Sequence, residues 1–180
     1  AMAAMLPKEQ KVKFNGNILR MDMEQGPATI GIIQDFVEKK GLMLLDVPIA
    51  QMQYAVKQSK EDLEKAEAAA PKLSDFKITE ETKKIGSYTA TKYTYKDDKG
   101  TDYELWTTNE IEFPTGFSGK QFENIKGALV KYTTFQNGIK VTLTIKNIDE
   151  GKVGPFSLEV PSGYELKTLE EIMAMQGGGQ

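Results

Sequence analysis

The sequence predicts an α+β protein built mostly from antiparallel strands, with one substantial helix set among them. Three observations predict it. Residues 86–111, GSYTATKYTYKDDKGTDYELWTTNEI, crowd β-branched and aromatic residues on both sides of one break, Asp97-Asp98-Lys99-Gly100. Two further stretches alternate dry and wet residues. Leu19, Met21 and Met23 interleave with Arg20, Asp22 and Glu24, and Ile139, Val141, Leu143 and Ile145 with Lys140, Thr142, Thr144 and Lys146. Only 59–70 reads as a long helix.

From the start, 11–24 divides into two strands around Asn15-Gly16-Asn17, and Gln25-Gly26-Pro27 ends the second. A strand over 28–36 puts Ile30 and Ile32 on one side. After a polar turn at 38–41, the continuous apolar run 42–46 suggests a strand covered on both faces. Val47-Pro48 stops it, and 51–56 reads as a short strand or the entry to a helix. Ser59 with Asp62 three residues on is a capping pair, and the helix it opens ends before Pro71.

Strands follow over 77–82 and in both arms of the 86–111 hairpin. A loop of Asp97 to Lys99 with Gly100 in the left-handed position would set Tyr93 opposite Tyr103, Thr91 opposite Leu105 and Lys92 opposite Glu104. Residues 119–126 suit a short helix. A second hairpin is expected around Asn137-Gly138, from 129–135 and 139–148, then a last strand at 156–160. Thr168 and Glu171 cap a C-terminal helix over 168–175. The sum is eight to ten strands in a single domain over 11–176, with tails at 1–10 and 177–180.

Composition excludes several classes of function. The net charge is −3, and Arg20 is the only arginine, which leaves little for phosphate or base recognition, so no nucleic-acid partner is expected. Without His or Cys the chain has no Ser-His or Cys-His pair, no thiol chemistry and no ordinary zinc site. Asp97-Asp98 and Asp149-Glu150 lack the spacing of a calcium loop. No carboxylate pair stands out for acid–base work. Catalytic residues, metal and cofactor are therefore all expected to be none, and the protein is read as not an enzyme. No apolar run approaches the roughly 20 residues of a membrane-spanning helix.

At Gly86-Ser87-Tyr88, Lys92-Tyr93, Trp106 and Val160-Pro161-Ser162-Gly163-Tyr164 the chain resembles a family of secreted bacterial domains of unknown function. The stretches 16–23 and 35–46 also fit that family. Its architecture is similar to the periplasmic lipoprotein carriers of the LolA and LolB type. The resemblance implies a curved antiparallel half-barrel whose concave face is closed by helices over a lipid-accepting cavity. It implies a periplasmic or secreted location, with a signal peptide or lipid anchor removed ahead of residue 1, and peripheral association with the envelope. Such domains open with a further strand, and with only Ala1–Gln10 ahead of Lys11 that strand is expected to be degenerate or cut short.

Under that resemblance Leu19, Met21, Met23, Ile32, Met43, Leu45 and Met52, with Tyr93, Tyr103 and Leu105, are candidates to line the cavity. Methionine suits ligands of variable shape. The plainer reading is that these residues fill a core. Arg20 should point to the other side of its strand from Leu19 and Met21, where a surface ion pair is expected. Trp106 is expected to pack beneath the helix rather than stand exposed as a contact residue. The function expected is binding of a lipid, a lipidated protein or another apolar ligand. The alternative is an interaction domain with a packed interior.

Overall fold

The computed structural model describes residues 7–136 and 139–177. The Asn137-Gly138 turn, most of the 1–10 tail and 178–180 lie outside the described residues. The fold is α+β, mostly antiparallel strand, with two short helices. The strands form two sheets, and the chain divides into two compact units, residues 1–66 with 152–180 and residues 67–151. Neither sheet closes on itself.

The first unit holds β1 (Gln10–Asn15), β2 (Ile18–Gln25), β3 (Ala28–Asp35), β4 (Lys40–Val47) and β5 (Met52–Gln58), each paired antiparallel with the next. Residues 51–56 therefore begin a strand, not a helix. One face of this sheet buries Ile33, Leu42, Leu44 and Ala55 against Phe156, Leu158, Val160 and Tyr164. The segment 156–160, expected as a last strand, keeps its alternation of partly buried and exposed residues but pairs with no strand. It lies across the sheet face, where its apolar side chains are satisfied without ladder hydrogen bonds. Only β11 (Glu165–Leu166) then pairs, parallel to β5.

The connection out of this sheet is α1 (Lys60–Ala69). Its capping box forms as expected: Ser59 N–H donates to Asp62 Oδ2 at 2.8 Å, and Asp62 N–H to Ser59 Oγ at 3.2 Å. No residue of α1 is buried, so the cover on the packed face is the 156–164 segment, and not this helix. The other helix, α2 (Leu169–Gly177), is capped by Thr168 and Glu171 and buries Ile172.

In the second unit β6 (Leu73–Ile85), β7 (Tyr88–Asp97), β8 (Asp102–Thr108), β9 (Ala128–Gln136) and β10 (Ile139–Thr144) lie in the order β10-β9-β8-β7-β6. Both faces carry a core. One buries Tyr93, Tyr95, Leu105 and Leu129 with Phe122, which arrives from a 3-10 turn at Lys120–Phe122 in the long 109–127 connection. The other buries Ile85, Ala90, Trp106 and Val130.

The β7–β8 hairpin forms two residues away from the expected register. Tyr95 faces Tyr103, Tyr93 faces Leu105, Thr91 faces Thr107 and Lys92 faces Trp106. The reason is Asp97. Its Oδ1 accepts from Lys99 N–H and Thr101 N–H at 2.9 Å each, which makes Asp97 the last strand residue and moves the loop forward by one. Gly100, at φ 77°, takes the left-handed position that closes such a loop.

Candidate functional site

The β1–β5 ladders decide which residues share a face. Met21 pairs with Val12 and Ile32, Ile32 with Met43, and Met43 with Val56. Met23, Ile30, Leu45 and Tyr54 form the next row, and Val47 pairs with Met52 beyond it. All seven candidates from this stretch, Leu19, Met21, Met23, Ile32, Met43, Leu45 and Met52, thus stand on one face.

This face is opposite the one that holds the core. Its paired positions are apolar apart from Tyr54, Gly41 and four glutamines, and none is charged. All the charged residues of β1–β5, Arg20, Asp22 and Lys57 among them, are on the packed face. Leu19 and Val56 are buried, while Met21, Met23, Ile32, Met43, Leu45 and Met52 are only partly so. An antiparallel sheet with one wet side usually turns its charged face to solvent. Here the charged face holds the core, and the uncharged face is left incompletely buried. Strand spacing and rise give this face roughly 19 Å by 20 Å, about 400 Å².

Gly41 leaves a notch near one end of the face. A Cβ on Gly41 would stand 2.7 Å from Gln58 Oε1, so the Gln58 carboxamide occupies the space a side chain would take. Gln34 flanks Gly41 on the other side, in register. Lys167 lies at the margin of the sheet, its ammonium 5.8 Å from the Tyr54 ring centre and 2.7 Å from Glu165.

Arg20 points away from the methionines, as expected. Its guanidinium meets Asp22 at 3.0 Å, and this hydrogen bonding outweighs partial burial to hold its pKa above the ordinary value. Gly31 makes room for the pair: a Cβ there would lie 3.3 Å from Asp22 Oδ1.

Tyr93, Tyr103 and Leu105 do share a face, but in the second unit, within the aromatic cluster. Tyr103 stacks on Tyr95 with ring centres 5.4 Å apart and donates its hydroxyl to Asp97 Oδ2 at 2.9 Å. Trp106 packs within its own sheet and not beneath a helix. Its Nε1–H reaches Glu104 Oε1 at 3.4 Å, and the Lys83 ammonium sits 3.8 Å over its ring. The ten candidates therefore separate into seven on the uncharged face of β1–β5, Leu19 buried and the other six partly so, and three in the aromatic cluster of the second unit.

Sequence reasoning passed over the glutamines. Their signal was their position: Gln34 and Gln58 continue the same alternation as Ile32 and Val56. Among the described residues, no cluster of three or more His, Asp or Glu is placed to hold a metal ion, and no helix is long and apolar enough to cross a membrane. No family model matches the chain, and no curated protein matches it.

Proposed function

We propose that the protein is a non-enzymatic cell-envelope protein that binds a lipid, a lipidated protein or another apolar ligand on the uncharged face of β1–β5. The observation that carries the reading is the segregation of charge on this sheet. Every charged side chain is on the side closed by 156–164, and the methionine-rich side carries none. Placing an acyl chain there would remove apolar surface from water at about 25 cal/mol per Å².

The half-barrel of the LolA type and the periplasmic or secreted location belong to this proposal and rest on the resemblance. The same applies to peripheral envelope association.

Native mass spectrometry of the full chain purified from a bacterial host, followed by solvent extraction and lipid analysis, tests the reading. A near-stoichiometric fatty acid or phospholipid, lost in Met21→Asp while the fold is kept, is the expected result. A clean apo mass that takes up no added lipid would instead favour an interaction domain with a packed interior.

A further inference from the structure

We infer that Gln58, seated over Gly41 beside Gln34, is one polar end of the apolar face and selects a ligand whose head is an uncharged amide. The inference rests on the binding reading above and adds the chemical class of the head group. Gln34, Gly41 and Gln58 lie in one row across β3, β4 and β5, next to the row of Ile32, Met43 and Val56. A glycine inside a strand weakens it and often marks a close approach. Here the approaching group is the Gln58 carboxamide, 2.7 Å from where a Cβ would stand. Among the described residues neither Gln34 nor Gln58 commits its side chain to a hydrogen bond within the protein.

Two carboxamides offer both donors and acceptors, and a ligand amide matches both. An ionised carboxylate only accepts, and would leave the glutamine oxygens facing an anion. The cations near this end do not sit on the face. Lys40 and Lys57 belong to the opposite side of the sheet, Lys40 is paired with Glu38, and Lys39 is exposed in the β3–β4 turn. Lys167 lies beside Tyr54, about 13 Å along β5 from Gln58.

Three probes on the full chain test this: uncharged N-phenyl-1-naphthylamine, N-methyl dodecanamide, and dodecanoate at pH 8, the last two by competition with the first. The wild type is expected to take up the fluorophore and to prefer the amide over the carboxylate by about tenfold, the worth of one net hydrogen bond. Gln58→Ala should bring the two within about twofold while fluorophore affinity is kept. Gly41→Ala, whose methyl would displace the Gln58 carboxamide and press on its Cβ at 3.3 Å, should do the same, with the melting temperature of each variant confirming its fold. If the wild type binds the fluorophore but ranks dodecanoate equal to the amide, or if neither variant changes the ranking, the head-group inference is overturned and the apolar site stands. If the wild type binds none of the three, the binding reading itself fails.

Discussion

Tyr95 shows how one buried side chain sets a response to pH. It is 1% exposed, stacked between Phe76 and Tyr103, and its hydroxyl reaches Thr133 O at only 3.4 Å. Burial pushes its pKa up to about 12. An unfolded chain releases the proton near pH 10 and the native state holds it, so between pH 10 and about 12 the unfolded state binds fewer protons. Stability therefore falls as pH rises through that window. Tyr132 and Tyr103, both raised chiefly by burial, add to the effect. Tyr95→Phe should cost less than about 1 kcal/mol at pH 8, because the bond it removes is long and weak. It should also flatten the loss between pH 10 and about 12 in urea titrations. A variant that loses stability as steeply as the wild type would assign the alkaline response elsewhere. Asp97 acts in the opposite direction. Burial opposes its ionisation, but hydrogen bonds from Thr101, Tyr103 and Lys99 prevail and hold its carboxyl below the usual range.

Two elements differ in what holds them. The helix α1 depends on local interactions: the Ser59–Asp62 cap and the Lys60–Glu64 and Glu61–Lys65 pairs, with no residue buried. Ser59→Ala should cost the helix about 1 kcal/mol. Amide exchange of residues 63–69 should rise several-fold while the melting temperature of the protein hardly changes. A fall of several degrees would mean that α1 packs more firmly than its exposure shows. The 156–164 segment is held by packing, with few hydrogen bonds of its own. Phe156→Ala, at a partly buried site, should destabilise the first unit by about 2 kcal/mol, less than the 3–5 of a fully buried phenylalanine. Denaturant titration measures it, and a loss under 0.5 kcal/mol would show that the segment is not what closes the sheet.

Across the whole molecule, the adjacent residues Leu42 and Met43 separate packing from binding. Leu42 is 0% exposed in the core of the first unit, while Met43 stands partly buried on the uncharged face. Leu42→Lys places an unpaired charge in that core and should unfold the first unit, read as loss of its amide protection. Met43→Lys should leave the melting temperature within a few degrees and abolish uptake of N-phenyl-1-naphthylamine. Equal loss of fold in both would make Met43 a core residue and the face a buried one.

Local chemistry determined much of this in advance. The alternation around Met21 and Ile32 assigned a shared face, because strand side chains alternate whatever the strand pairs with. Both capping boxes were legible because all their partners lie within three residues. The β7–β8 hairpin was legible to within two residues. Either register keeps tyrosine on one face, and the choice fell to the bonds of the Asp97 side chain. What only the tertiary structure decided is non-local. Alternation at 156–160 is the same for a paired strand and for a segment lying across a sheet, since the sequence does not show where backbone partners are. Nor does it show which side of a sheet another segment will cover. That choice put the core on the charged side of β1–β5 and left the methionines on the other face, while the division into two sheets assigned Tyr93, Tyr103 and Leu105 to a separate interior.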